Sequence, residues 1–459
     1  MTKERGILRE YVVQHKRCNN IGECWTLLTL PEYGVIEMDK RIEELIDITR
    51  EKYCLHKYYL HTFDIHRNTT IFKDTVYRLS MEWFPNHIKN WDDETYNPEG
   101  TACIEIDIHS KKTKHVIFSE GISTVGGMTF DLNNRDEIIK WIERETGLIY
   151  GRQFEFWKEE ERELHFKECI DGVAVSPSGY IELKLDKEGR LTLFSVYGQF
   201  PSEELVKQEK YLLSLEQVEE LAKEQLKLVE FPVIEQKKLV PAFAIEEIYI
   251  KNDCSSTLTY EFFVDDKFSL QMDKVIEWDD IIQKPFQGKI LSLIENVTPD
   301  QAFQCEPHPD LRPITEEEIK KCVSTIQKFL GQVYTKDSGK WALKSLYRDK
   351  GYIHATLKKK EQKERVFKRK MKLFIDSGTY EVLNYMDNKP FLETYMELKE
   401  VEEIKIAKEE AFEKIKELIE LTPYYVYDFE QGYYVLCGKL DCQYAVKANN
   451  GEVIELNEL

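Results

Sequence analysis

The sequence lacks the features of several large classes of protein. No stretch approaches the roughly 18 consecutive apolar residues of a membrane-spanning helix, and residues 1–20 lack the apolar core of a secretory signal. Cysteine is scarce, with 10 in 459 residues, so we expect reduced thiols rather than a disulfide framework. Basic residues are outnumbered by acidic ones, 64 to 84, and the net charge of −20 disfavours nucleic acid as a partner. These absences predict a cytoplasmic protein without a membrane span.

The sequence motifs of common enzymes are also missing. The chain has no H-E-x-x-H or C-x-x-C for a metal, no G-x-S-x-G for a nucleophilic serine, and no glycine pattern of a nucleotide-binding loop. We therefore expect no cofactor and favour a protein that is not an enzyme.

What the sequence does contain is a recurring pattern of one amphipathic helix followed by strands. Helix starts are predicted near residues 40, 135, 214, 315 and 401, and capping boxes mark those at Ser214 and Thr315. One such helix can cover one face of a small antiparallel sheet. The pattern predicts an α+β fold of tandem modules, each one helix packed on an antiparallel meander of three or four strands. Coincidental alternation of helices and strands, without true repetition, is the alternative.

The predicted boundaries follow from these helix starts and from a proline-rich stretch in the middle of the chain. The last helix is predicted over 401–421, ending before Pro423 because proline cannot continue a helix. The predicted units are an N-terminal cap (1–38), module 1 (39–120), module 2 (134–200), module 3 (214–280), a linker (281–313), module 4 (314–388) and module 5 (400–459).

Three of the modules are predicted to close with a hairpin that has glycine in its turn, at Gly189, Gly378 and Gly451. The clearest signal is Asn450–Gly451, which lies between two alternating runs and predicts a two-residue turn with positive φ at both residues. We interpret these glycines as structural turns that perform no chemistry.

One segment resembles a known family. FKECIDGVAVSPSGYIELKLDKEGRLTLFSV, from Phe166, resembles the PepSY module and its relatives in tandem YcdB/YcdC-type repeat proteins: an IDGV strand, an alternating strand ending in an acidic residue, a glycine turn and a return strand. The C-terminal YYVLCGKLDCQYAVKANNGEVIEL looks like the same closing element. The resemblance implies a helix on a twisted antiparallel sheet, and a generally non-catalytic role in binding or restraining peptidases or at the cell envelope. The chain shows neither a leader nor a peptidase domain, so the resemblance bears on fold more than on role.

Histidines cluster in the first predicted module. Six of the 10 in the chain lie there: His56, His61, His66, His87, His109 and His115. His109 and His115 flank a predicted hairpin turn and could bind a metal with Asp107 or Asp64. Such a site would support a metal-assisted hydrolase as the alternative function. Solvated surface histidines are the competing explanation.

One stretch reverses the acidic character of the chain. KKKEQKERVFKRKMK, residues 358–372, has nine basic and two acidic residues. On a hairpin, its lysines would project from one face while Met371 and Leu373 pack beneath. The stretch is either a polyanion-binding surface or an exposed hairpin that lysines protect from edge pairing. The polyanion-binding candidates are Lys358, Lys359, Lys360, Lys368, Arg369, Lys370 and Lys372.

The main functional hypothesis is a non-catalytic binding or regulatory protein that acts on a protein or peptide, a peptidase among the candidates. Aromatic residues are plentiful, with 25 tyrosines, 23 phenylalanines and 7 tryptophans. On sheet faces that no helix covers, such residues either bind ligands or pack one module against another. The sequence does not identify the partner.

Overall fold

The computed structural model describes residues 38–89, 91, 96–123, 128–233, 238–258, 269–292, 295–360, 368–396, 399–400 and 403–458, and shows an α+β protein. The predicted N-terminal cap, except for residue 38, and residues 361–367 of the basic stretch lie outside the described residues. The helices are α1 (Lys40–Lys52), α2 (Arg135–Thr146), α3 (Leu215–Gln225), α4 (Pro299–Phe303), α5 (Glu316–Val333), α6 (Lys389–Met396) and α7 (Lys408–Ile415).

The strands are assigned to three sheets. In the large sheet they are β1 (Tyr58–Thr69), β2 (Thr75–Pro85), β3 (Ala102–Asp107), β4 (Thr113–Phe118), β5 (Phe154–Glu160), β6 (Glu163–Ile170), β7 (Val173–Ser176), β8 (Tyr180–Leu185), β9 (Leu191–Tyr197), β12 (Ile248–Lys251), β13 (Thr257–Leu258), β20 (Glu420–Asp428) and β21 (Tyr433–Asp441). A second sheet contains β10 (Leu226–Val233), β11 (Lys238–Ile245), β19 (Lys399–Glu400), β22 (Tyr444–Lys447) and β23 (Val453–Glu455). The third contains β14 (Leu270–Ile276), β15 (Trp341–Asp349), β16 (Tyr352–Lys359), β17 (Lys370–Asp376) and β18 (Val382–Asp387).

Four of the five predicted helix starts are confirmed within one residue, at α1, α2, α3 and α5. The capping boxes at Ser214 and Thr315 are both present. The fifth prediction is wrong in its bounds, because α7 starts at Lys408 and its final turn ends at Leu418. Pro423 lies inside β20, opposite Gly438 of β21, and the ladder of β20 with β7 begins only at Tyr424. Pro423 has no N–H to donate, but the pairing with β7 begins only at the next residue, so this strand can contain a proline there.

The predicted modules differ from the structure because they do not each form a sheet and a core of their own. Modules 1 and 2 share one core, which we call the first core, and are joined by the pairing of β4 with β9. Modules 3 and 5 share the second core, and module 5 also pairs with module 2 through β20 and β7. β14, predicted in module 3, pairs instead with β15 of module 4 in the third core. Strand edges carry unpaired N–H and C=O groups, so neighbouring units are joined edge to edge.

The predicted linker is also packed rather than extended between units. Within it, α4 buries Ala302 in the first core. Arg41 of α1 forms an ion pair with Asp300 at 2.7 Å and lies over the Phe303 ring. Further along, the carbonyl of Glu306 accepts a hydrogen bond from the Tyr77 hydroxyl. This segment therefore connects the third core to the first by specific contacts.

The glycine turns vary in geometry. Gly189 has φ of +78° and Gly451 has φ of +73°. At Asn450–Gly451 only the glycine has positive φ, and a backbone hydrogen bond from Lys447 to Glu452 closes a loop of four residues (448–451), so the predicted two-residue turn is wrong. In the third sheet Gly378 donates its N–H to Asp376, and the positive φ belongs to Tyr380. A four-residue loop needs only one left-handed position, which glycine supplies.

The IDGV element of the family resemblance is a hairpin rather than one strand. Asp171 and Gly172 both have positive φ, 48° and 79°, and they connect β6 to β7. This is the geometry of a type I′ turn, for which Asp-Gly is a preferred pair.

In the part of the chain that the structure describes, every helix is too short or too polar to cross a membrane.

Candidate functional site

A row of polar side chains crosses the first half of the large sheet. Each member lies directly opposite the next on the neighbouring strand, so the row runs perpendicular to eight strands. In order across the sheet it contains Asp64, Ser80, Glu105, His115, Ser195, Glu182, His165 and Lys158. We call this set the polar row.

The polar row exists because polar and apolar residues alternate along these strands. In β3, Ile104 is buried in the first core beside α1 and α2, and Glu105 follows it. In β8, Leu183 is in the same core and Glu182 precedes it. Successive side chains of a strand point to opposite faces. The polar row therefore lies on the face opposite the two helices, which we call the outer face.

The centre of the polar row is a connected set of charged and hydrogen-bonding groups. His115 Nδ1 lies 3.1 Å from Ser195 Oγ, and its Nε2 lies 3.8 Å from Glu105 Oε1. Arg78 donates to the same carboxylate at 2.9 Å. Burial alone would raise the pKa of Glu105, but Arg78 and neighbouring groups bring it below its usual value. Burial also lowers the pKa of His115, so its imidazole is neutral at pH 7.

The set has the composition of a Ser–His–acid triad without the accessibility of one. Ser195 is only 1% exposed, so a substrate carbonyl could not approach its Oγ. The geometry instead fixes the orientation of His115 between an acceptor and a hydroxyl. This part of the polar row stabilises the sheet and gives the outer face a fixed pattern of charge.

At the β5 end of the polar row, two carboxylates converge on a second histidine. His165 Nε2 lies 3.4 Å from Glu163 Oε1, and its Nδ1 lies 3.7 Å from Glu182 Oε1. Lys184 Nζ lies 3.5 Å from the other oxygen of Glu163. Burial lowers the pKa of His165. Imidazole and carboxylate side chains are the donors that first-row transition metals accept.

Aromatic side chains border this end of the outer face. Trp157 is 46% exposed, and its ring lies beneath Lys167 Nζ at 3.8 Å and near Lys158 Nζ at 4.7 Å. Tyr180 and Tyr197 stack with ring centroids 4.5 Å apart. The outer face thus combines aromatic surface with fixed charges of both signs, a composition suited to recognising another chain.

The metal candidates predicted from the sequence are not brought together. His115 belongs to the polar row, whereas His109 Nε2 lies 3.5 Å from Cys305 Sγ and its ring packs edge-on to Tyr77. Asp107 accepts hydrogen bonds from the backbone and hydroxyl of Ser110 within its own turn. The three side chains have different neighbours, so the hydrolase hypothesis loses its proposed site.

The basic stretch forms part of the third sheet. Met371 and Leu373 of β17 have buried side chains, as predicted. Lys358 lies opposite Lys370 where β16 pairs with β17.

Its charged groups contact neighbouring side chains and backbone. Arg369 pairs with Asp387, and Lys372 Nζ donates to the Tyr347 hydroxyl at 2.6 Å. Lys359 lies 3.7 Å from Asp337. Backbone groups make further contacts, among them the N–H of Lys360 with the carbonyl of Lys340 and the carbonyl of Lys368 with the Asn388 amide. Several of these cations therefore make contacts within the third sheet. Polyanion binding stays a prediction.

Sequence reasoning missed the polar row, and the reason is its non-local origin. His165 and Glu182 each appear as one polar residue in an alternating strand, which is ordinary for a half-buried sheet. Only the register between strands shows that they meet. A prediction of strand pairing could have found them; residue spacing could not.

Comparisons with known proteins add little to this geometry. No family profile matches the chain, and no curated protein matches it. Among solved structures, the chain is similar to the Bacillus megaterium YpeB C-terminal domain, with 10% sequence identity over 75% of this chain and 96% of that one, and a TM-score of 0.23. A similarity at that TM-score is a distant structural link and carries no argument about function.

Proposed function

We propose that this protein is a non-catalytic binding protein of PepSY-like α+β units that contacts a peptide segment of a partner through the outer face around Trp157. The observation that carries the proposal is the exposure of Trp157 between two lysines that are themselves half-buried. Tryptophan is enriched among the few residues that dominate binding energies. The resemblance of the segment from Phe166 to PepSY modules supports the same class of function.

The two lysines hold the indole in place before a partner arrives. Cation–π contacts at 3.8 Å and 4.7 Å restrict its rotation, and the His165 ring packs edge-on to it with centroids 6.2 Å apart. A side chain that is already ordered loses less conformational entropy when it binds. Lys158 already forms an ion pair with Glu160 at 2.6 Å, so it is mainly Lys167 that favours a partner with acidic residues beside an apolar anchor.

The test is selection of peptides from a displayed random library on the immobilised protein. We expect enriched peptides that contain an aromatic or aliphatic anchor with acidic neighbours. Replacing Trp157 by alanine should weaken them by roughly 30-fold, the effect of losing about 2 kcal/mol.

Trp91 provides a matched control, because it is 43% exposed and its indole N–H donates to the Tyr96 carbonyl. Trp91→Ala should leave the affinity of the selected peptides unchanged. Failure to enrich any peptide, or equal affinity for wild type and Trp157→Ala, would refute the proposal.

A further inference from the structure

Glu163, His165 and Glu182 form a group of ligand-type side chains at the β5 end of the polar row. One donor atom from each lies within 4.8 Å of the others. Glu163 and His165 are two residues apart on β6, so they share the outer face, and Glu182 lies opposite His165 on β8. The register of two strands therefore fixes all three backbone positions. A site built on paired strands holds its ligands more rigidly than a site on loops.

A second observation points to a missing ligand. His165 is only 8% exposed, and its Nε2 is buried without a hydrogen-bond partner. Leaving a buried polar atom without a partner is energetically unfavourable. This nitrogen faces Glu163 Oε1 at 3.4 Å. In a tetrahedral site with ligands about 2.0–2.1 Å from the ion, ligand atoms lie roughly 3.3 Å apart, so this pair already has suitable spacing.

Lys184 helps to orient the first carboxylate. Its ammonium group lies 3.5 Å from Glu163 Oε2, while Oε1 faces the imidazole. The carboxylate of Glu182 lies 3.7 Å from Nδ1 of the same ring, and one of its oxygens lies within 4.8 Å of a donor atom of each of the other two residues. The two carboxylates would supply the negative charge that a divalent cation needs.

We propose that Glu163, His165 and Glu182 bind a divalent transition-metal ion through imidazole Nε2 and one oxygen from each carboxylate. One nitrogen and two oxygen donors suit Zn²⁺, with water in the remaining position. Mg²⁺ and Ca²⁺ prefer oxygen donors alone and are expected to bind weakly. The site adjoins the peptide contact proposed at Trp157, because the His165 ring packs edge-on to that indole, but neither proposal depends on the other.

The first test is titration of the metal-stripped protein with Zn²⁺ in competition with a chromophoric chelator. We expect one Zn²⁺ per chain at this site, and no competition from millimolar Mg²⁺. His165→Ala and Glu182→Gln should each weaken the affinity by roughly tenfold or more. Circular dichroism should show that both variants remain folded.

His115→Ala is the matched control, because His115 lies on the same polar row beside a single carboxylate that Arg78 already pairs. This variant should bind Zn²⁺ like the wild type. The proposal is overturned if the wild type binds no Zn²⁺, or if folded His165→Ala binds it as tightly as the wild type.

A second readout uses the neighbouring indole. The Trp157 and His165 ring centroids are 6.2 Å apart, so Cu²⁺ or Co²⁺ at the site should quench the fluorescence of Trp157. The quenching should disappear in Trp157→Phe and in His165→Ala, and excess Zn²⁺ should reverse it. Quenching that persists unchanged in His165→Ala would mean adventitious surface ions and would contradict the proposal.

Discussion

At the scale of single residues, Glu168 is the side chain whose protonation should affect stability most directly. It is 2% exposed, and its two oxygens accept hydrogen bonds from the backbone N–H groups of Gly179 and Phe200, at 2.5 Å and 3.1 Å. Burial raises the pKa of Glu168 to about 7, although the two N–H groups oppose this shift. The folded protein therefore keeps a proton that the unfolded chain releases near pH 4.5.

This difference predicts a loss of stability as the pH rises. Between about pH 4.5 and 7 the folded state binds one more proton than the unfolded state, so the free energy of unfolding falls by about 3 kcal/mol across that range. Urea denaturation at several pH values should show this fall in the wild type. In Glu168→Gln, which is neutral throughout, this contribution should be absent.

Glu188→Gln is the control, because this carboxylate is exposed in a turn. It should retain the dependence on pH of the wild type. If Glu168→Gln also retains that dependence, then the Glu168 carboxyl does not keep its proton in the folded protein between about pH 4.5 and 7.

The same carboxylate shows why two glycines are needed nearby. A Cβ on Gly179 would lie 2.5 Å from the carbonyl oxygen of Tyr197, and a Cβ on Gly198 would lie 2.3 Å from the Cα of Gly179. These two positions allow the close backbone approach that places an N–H against Glu168.

At the scale of elements, the local signals in the sequence were informative where local energetics decide the outcome. Capping boxes located α3 and α5 because their hydrogen bonds form within four residues. The alternation of apolar and polar residues along the chain located most strands for the same reason. The predicted end of α7 was wrong because the pairing of β20 with β21, which is a tertiary effect, outweighed the helical pattern that continues in the sequence.

Two other elements show how local signals can mislead. Asp171–Gly172 is a preferred pair for a hairpin turn, but the apolar residues on both sides of it predicted one continuous strand. β10 starts at Leu226, directly after α3, without glycine or proline between them. For the outer face, alternation predicted which residues point away from the helices. It did not predict which strands are neighbours, and the candidate site depends on that.

The C-terminal hairpin offers a test at this scale. Gly451 has positive φ, and a Cβ there would lie 3.1 Å from Ile406 Cδ1 and from Lys414 Cε. Gly451→Val should therefore destabilise the protein through backbone strain and through displacement of these side chains, by about 2 kcal/mol or more. Thermal unfolding of the purified variant measures the effect.

Gly151 separates the two causes. It has φ of +77°, and a Cβ there would meet no atom within 4 Å. Gly151→Ala should cost about 1 kcal/mol from strain alone, and Gly451→Ala should cost more. An unchanged melting temperature for Gly451→Val would show that the hairpin tolerates a side chain and that this account of the loop is wrong.

At the scale of the whole molecule, the helix-plus-strand units depend on one another. Val218 and Ala222 of α3 are buried in the second core together with Phe412 and Ile415 of α7. These residues come from predicted modules 3 and 5, which are separated in the chain by the whole third core. The third core, by contrast, draws all its members from residues 272–385.

This arrangement predicts which fragments fold. A fragment of residues 269–396 should unfold cooperatively, because it contains β14 and the complete third core. A fragment of residues 214–280, the predicted module 3, should lack cooperative unfolding because half of its core is absent. Circular dichroism with urea titration distinguishes the two outcomes.

Residues 314–388, the predicted module 4, serve as the intermediate case, since they lack β14 and the buried Ile276 and Trp278. This fragment should be less stable than 269–396. Cooperative unfolding of 214–280 alone would instead favour the independent modules expected from the sequence.

The parallel pairing of β7 with β20 has a consequence for synthesis of the chain on the ribosome. Ala174, Val175 and Ser176 pair with Tyr424, Tyr425 and Val426, about 250 residues later in the sequence. At roughly 5–20 residues per second, β7 waits for its partner for roughly 10 seconds or longer after it emerges. During that interval a short apolar strand edge is open to pairing with other nascent chains. The pairing that joins the two parts of the large sheet is therefore also a point at which a newly made chain is open to incorrect pairing.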